Sequence, residues 1–162
     1  MSGILSVIEQ DKRQQPSATS ALGTRGETLA ASFLVSSGYR IVVSNFKVPV
    51  GRNSKGAQVT GEIDIVALDA DVLCFVEVKT RRSDDLVPVI AAVDRRKQRQ
   101  ITRTARVYRR VFGLTDVPHR FDVVTVVWAK HAEPAVELIK GFWNEGDFRK
   151  HRWRSETWNE FA

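Results

Sequence analysis

The sequence predicts an α/β domain, a mixed sheet with helices packed against it. Three observations carry this. Apolar residues recur at helical spacing in two separate stretches, several runs rich in Val, Ile and Phe have the length of strands, and the order is helix, strand, strand, strand, helix, strand. At 162 residues the chain can bury one proper core and still carry tails. The expected division is an arm over residues 1–22, a domain over residues 23–143 and a tryptophan-containing tail over residues 144–162.

The first helix is expected from near Thr24 to about Ser36, where Ala30, Phe33 and Leu34 form a stripe and Gly38 follows the C-terminus. Glu27 lies on the side of that stripe. It either offsets the helix dipole or serves a site beneath the helix. A strand is expected at Arg40–Lys47, then a loop at Val48–Thr60 with Pro49, Gly51 and Gly56. Arg52 and Lys55 make that loop a candidate phosphate contact, or simply a solvated surface. Two strands, Gly61–Leu68 and Val72–Thr80, follow as a hairpin turned by Asp69-Ala70-Asp71. Arg81–Pro88 reads as irregular.

The second helix is expected from about Ala91 to Phe112. Ile101, Ala105, Tyr108 and Phe112 form its apolar stripe, and Lys97 lies on the same inward side. Arg99, Arg103, Arg106 and Arg110 repeat on the other side. A row of arginines is commonly just solvated, but this one lacks interleaved Glu, which favours a polyanionic partner. Arg81 and Arg82 are further candidates for nucleic-acid contact. Phe121–Trp128 reads as a buried strand, and Ala135–Trp143 as either a last strand or a helical turn. In the tail, Trp153, Trp158 and Phe161 could stack on bases, but aromatics of this kind more often pin a terminal segment to its own domain.

Composition narrows the function classes. A net charge of +6 favours nucleic acid or an acidic surface as partner. The single cysteine, Cys74, cannot form an internal disulfide, and the three histidines lack zinc-ligand spacing. No apolar run has the length of a membrane span and no leader pattern opens the chain, so a soluble, cytoplasmic protein without membrane association is expected.

The hairpin carries the chemistry. Alternation puts Glu62 and Asp64 on one face of its first strand, and Glu77 and Lys79 on one face of its second. Paired strands lie about 4.8 Å apart, so an aligned register would bring Asp64 and Glu77 together. Two carboxylates that close call for a cation. Their oxygens suit Mg²⁺ (or Mn²⁺), which takes one or two carboxylates, water and substrate phosphate. Lys79 points to the same place, and Glu27 and Lys97 face it from the two helices. The competing reading is an internal salt bridge in which Lys79 neutralises a carboxylate and no metal binds.

Gly26-Glu27-x-x-Ala30, Gly38-Tyr39, Asn45, Gly61-Glu62-Ile63-Asp64, Phe75-Val76-Glu77-Val78-Lys79-Thr80-Arg81, Lys97-Gln98 and Arg120-Phe121-Asp122-Val123-Val124 together resemble the YraN-like family of small bacterial proteins, within the PD-(D/E)XK, restriction-endonuclease-like superfamily. The likeness covers roughly Gly23 to Phe142. It implies a restriction-endonuclease-like αβββαβ core related to archaeal-type Holliday junction resolvases. It further implies metal ligation by Asp64, Glu77 and the Val78 backbone carbonyl, with Lys79 catalytic and Glu27 and Lys97 auxiliary. Ile63 stands where the superfamily name has proline. The function expected is Mg²⁺-dependent cleavage of branched or structured DNA. The alternative is a nucleic-acid-binding module that keeps the fold without catalysis. Symmetric cutting of a junction would also need a two-fold homodimer.

Overall fold

The computed structural model of the chain describes residues 17–84, 88, 90 and 93–148. Its elements are α1 (Ala18–Ser36), β1 (Arg40–Arg52), β2 (Gln58–Asp69), β3 (Val72–Arg82), α2 (Arg95–Val111), β4 (His119–Trp128) and β5 (Ala135–Trp143), then a 3-10 turn at Glu145–Phe148. The strands form one sheet in chain order. Every neighbouring pair is antiparallel except β3 and β4, which run parallel. α2 makes the crossover that a parallel pair requires. The mixed sheet, the two helices and the αβββαβ order match the expected class, and Ala135–Trp143 resolves as a fifth strand on the β4 edge.

Alternating residues of the central strands feed two cores. Val66, Phe75, Phe121 and Val123 pack with Ile101, Ala105 and Tyr108 of α2. Ala67, Val76, Val124 and Val126 pack with Ala30 and Leu34 of α1 on the opposite face. Covered on both sides, β3 and β4 read as nearly unbroken apolar runs. Two glycines let the helices come down onto the sheet. A Cβ at Gly26 of α1 would stand 1.9 Å from Thr80 Oγ1, and one at Gly61 of β2 would stand 2.1 Å from Thr104 Oγ1 of α2.

Several boundaries differ from expectation, each for a local reason. α1 begins at Ala18, before the expected Thr24, because the Ser17 side chain accepts from Ser20 N–H and caps it. Residues 18–22, expected in the arm, therefore belong to the helix. Val48–Thr60 is mostly strand: β1 runs to Arg52 and β2 starts at Gln58. Pro49 and Gly51 fall at a register shift of β1, an edge strand, where a missing N–H and an irregular residue are tolerated. Only a short turn remains, closed by Asn53 Oδ1 accepting from Lys55 N–H at 3.0 Å and Ala57 N–H at 2.9 Å. Arg81 and Arg82 continue β3, paired with Val127 and Trp128. α2 begins at Arg95, capped by Asp94 accepting from Lys97 N–H; residues 91 and 92, where its start was expected, lie outside the described residues. Phe112 is the C-cap and 55% exposed, not a core residue. The first arm residues and Trp153, Trp158 and Phe161 also lie outside the described residues. No helix among the described residues is long and apolar enough to cross a membrane.

Candidate functional site

The β2–β3 ladder pairs Asp69 with Val72 and runs to Ile65 opposite Val76. One step on, Asp64 and Glu77 stand opposite each other, as the expected register required. The backbone ladder stops there and a side chain continues it: Asp64 Oδ2 accepts from Val78 N–H at 2.7 Å. Val78, whose carbonyl the resemblance assigns to a metal, thus meets Asp64 through its amide. The sheet is also irregular at this point. Ile63 packs in the α2-side core and Ile65 in the α1-side core, although strict alternation would put them on one face. Asn45 of β1, between the partners of Ile65 and Ile63, has φ +55°. Asparagine tolerates this left-handed conformation better than most residues.

Glu77 is 2% exposed. Its Oε1 lies 2.8 Å from Lys79 Nζ and 3.3 Å from Lys97 Nζ. Its Oε2 is buried with no hydrogen-bond partner among the described residues. Burial, and then the charge of Glu77, push the Asp64 carboxyl up to about 7; the Val78 N–H and Lys97 pull against this, and Glu27 adds to it. Glu27 lines the same cavity of about 290 Å³ as Asp64, Asn45 and Ser44. Its carboxyl is also raised, first by burial and then by Glu62, while a hydrogen bond from the Asn45 side chain opposes the shift. Glu62 itself pairs with Lys47 at 3.3 Å on the rim.

The structure therefore brings Glu27, Asp64, Glu77, Lys79 and Lys97 to one place. Two carboxylates from adjacent strands with an unpartnered buried oxygen fit a hard divalent cation, which needs only one or two carboxylates from protein. The Lys79–Glu77 pair is also the internal ion pair of the competing reading, to which the structure adds Lys97 as a second cation on Glu77. Among the described residues no group of three or more His, Cys, Asp or Glu side chains could hold a metal ion, so any ion here would rest on the two carboxylates.

The basic residues are less convergent. Arg99 and Arg103 line a cavity of about 330 Å³ with Arg96, Gln100, Val50 and Val59, between α2 and the β1–β2 hairpin. Arg110 is exposed on α2, and Arg52 and Lys55 are exposed at the hairpin tip, where Arg52 Nη1 donates to Gly56 O at 2.7 Å. Arg106, expected to face a partner, pairs with Glu145 of the 3-10 turn, which Arg109 and His119 also contact at 3.5 and 3.1 Å. Arg81 is half-buried. Gly26, Thr80 and Asn45 stand in the motifs that carry the resemblance, but the sequence reading assigns none of them a role; the close approach of Gly26 and Thr80 seats Glu27. A glycine one residue before an inward-facing Glu was the available signal.

A family model described as "Uncharacterised protein family UPF0102" matches residues 26–126, a region that holds all five site residues. The chain belongs to the UPF0102 family. This bears out the YraN-like resemblance. A UPF0102 protein of Geotalea uraniireducens is 40% identical over 120 residues, covering 74% of this chain and 87% of that one. Another, of Chlorobaculum parvum, is 45% identical over 108 residues, covering 65% and 74%. Among solved structures, the crystal structure of SSO0001 aligns with a TM-score of 0.38 at 16% identity, over 81% of this chain and 56% of that one. The chain thus spans little more than half of that structure's length.

Proposed function

We propose that this UPF0102 protein is a Mg²⁺- or Mn²⁺-dependent nuclease that hydrolyses phosphodiester bonds in branched or structured DNA. The observation that carries the reading is the meeting of Asp64 and Glu77 where the β2–β3 ladder parts, with one Glu77 oxygen buried and unpartnered. Asp64 and Glu77 would hold the ion, with the Val78 carbonyl as a further ligand. When bound, the ion would supply charge neutralisation at the phosphate and acidify water. The chain's own residues do the rest. Lys79 keeps a cation beside the reacting phosphorus, where negative charge develops. Lys97 holds a phosphate oxygen from the α2 side. Glu27, steadied by Asn45, is placed to take up or return a proton in the Asp64 cavity. Arg99 and Arg103, with Arg52, Lys55, Arg81, Arg82 and Arg110, would hold the flanking backbone. Symmetric cutting would need a homodimer.

The test is cleavage of branched, flapped and blunt duplex DNAs with Mg²⁺ or Mn²⁺. Wild type should cut at least one of them, and Glu77→Ala or Lys79→Ala should lower the rate by about a hundredfold or more. A wild-type rate in either variant refutes the site. The pairing of both lysines with Glu77 favours a second reading, a binding module without catalysis. Salt-sensitive DNA binding with no cleavage of any substrate would select it.

A further inference from the structure

We infer that Trp128 and Arg25 form a platform for an unpaired nucleobase, so that the preferred substrate carries a single-stranded segment beside the cleavage site. The inference deepens the nuclease reading and rests on it for the position of that site.

Three features meet at the platform. First, the Arg25 guanidinium lies over the Trp128 ring, 4.7 Å from its centroid. The guanidinium covers that indole face, so a base would stack on the outer plane of the guanidinium with the ring behind it; arginine planes and aromatic rings both serve as sequence-tolerant stacking surfaces, because every base has a π-face. Second, the ring borders two cavities. One, of about 270 Å³, is lined by Arg25, Arg82, Lys130, Ser83 and Asp84 with Leu22 and Ala129. Among the described residues, Arg25 and Lys130 bring cations to a lining that suits a phosphate. The other, of about 330 Å³, is lined by Thr24, Arg25, Thr28, Leu29 and Ser32, and is more open and more apolar. Third, the Trp128 indole N–H is buried with no partner among the described residues. A buried tryptophan kept for structure alone usually finds an acceptor. The ring also packs against the α1-side core. That packing does not account for the Arg25 guanidinium laid over it or for Lys130 in the adjoining cavity.

The platform is joined to the catalytic cavity through α1. Gly26 rests on Thr80, with Arg25 on one side of that contact and Glu27 on the other. Thr24, Thr28 and Ser32 line both the Asp64 cavity and the cavity against Trp128. These small, uncharged residues form the ridge between the two. A strand leaving the Asp64 cavity across this ridge would lay a base on the platform of Arg25 and Trp128 and a phosphate near Lys130. Within a fully paired duplex the base faces are stacked on one another, and only the two end pairs expose one.

The experiment measures equilibrium binding by fluorescence anisotropy in EDTA, where no metal-dependent cleavage can occur. The probes are a blunt duplex and the same duplex with a single-stranded extension of either polarity. Wild type should bind one extended duplex about tenfold more tightly than the blunt one. Trp128→Ala should abolish that preference, Arg25→Ala should reduce it severalfold, and Trp128→Phe, which keeps a ring, should retain most of it. Should Trp128→Ala fail to fold, Arg25→Ala and Trp128→Phe still decide the matter. Equal binding of blunt and extended duplexes by wild type, or an undiminished preference in either Trp128→Ala or Arg25→Ala, overturns the platform. The two readings fail separately. A protein that cuts no DNA but loses its extension preference in Trp128→Ala retains the platform and loses the nuclease. One that cuts blunt and extended duplexes alike, with no binding preference, retains the nuclease and loses the platform.

Discussion

Gly26→Ala sets two effects of known sign against each other. In an open helix the change should stabilise by about 1 kcal/mol, because alanine loses less backbone entropy. Here the new Cβ would stand 1.9 Å from Thr80 Oγ1 and 3.0 Å from both Thr80 Cβ and Cγ2. Rotating Thr80 about χ1 can move Oγ1 away, but it leaves the Cβ where it is, and a β-branched residue resists rotation. The helix must therefore lift from β3. Overpacking of this kind costs about 1–3 kcal/mol, so packing outweighs propensity and the net loss should be about 1–2 kcal/mol. For a chain of this size that lowers Tm by a few degrees. Thr80→Ala removes Oγ1 and Cγ2, so in that background Gly26→Ala should cost less, with a coupling of about 1 kcal/mol in a thermal or urea double-mutant cycle. Glu27 moves with the helix, so cleavage should fall in Gly26→Ala and recover in the double variant. A Gly26→Ala protein that melts higher than wild type, or two changes that simply add, would show that the α1–β3 contact does not seat Glu27.

Two further outcomes follow from the charges. Because the Asp64 carboxyl is held near 7, above its ordinary 3.8, the folded state binds the extra proton between those values and its ionisation weakens the fold as pH rises through them. In EDTA, Asp64→Asn should match wild type near pH 4 and exceed it in urea stability near pH 8 by a few kcal/mol, order of magnitude; Mg²⁺ should raise wild type alone, and a difference that does not change with pH refutes the assignment. Arg120 bonds both oxygens of the fully buried Asp122, at 2.7 and 2.9 Å, and also meets Asp69 and the Tyr39 hydroxyl. Arg120→Ala removes that carboxylate's cation and should cost about 3–5 kcal/mol by urea denaturation, whereas a loss under 1 kcal/mol would mean that Gly141 N–H, at 2.9 Å, and the Tyr39 hydroxyl, at 3.4 Å, satisfy Asp122 without it.

The parts of the site legible in the sequence are those governed by short-range periodicity. Period two along each strand put Glu77 and Lys79 on one face, a tight turn near Asp69–Asp71 allowed a register with Asp64 beside Glu77, and helical spacing turned Glu27 and Lys97 inward; the turn proper is the two residues Ala70 and Asp71, with Asp69 paired to Val72. None of these inferences needed to know how distant segments meet. The misreadings come from residues whose local meaning depends on their neighbours in the sheet. Pro49 and Gly51 are loop signals in isolation, and only the edge position of β1 makes them acceptable in a strand. Ser17 looked like part of a polar arm because its capping role appears only when the helix behind it is known to begin there.

The contacts that assemble the site lay further out of reach. Thr80 and Gly26 are 54 positions apart, and neither carries charge; the pair matters because one lacks a Cβ where the other has an oxygen. Asn45 matters because its positive φ falls where the core packing switches between Ile63 and Ile65. That irregularity leaves Asp64 hydrogen-bonding a backbone amide in place of a ladder partner, opposite a glutamate whose second oxygen is left unmatched. A sheet built only for stability would have continued the ladder with apolar residues. The interruption instead gathers Asp64, Glu77, Lys79 and Lys97 at one point of the sheet, and further along β3 its last residue, Arg82, pairs with Trp128 of β4.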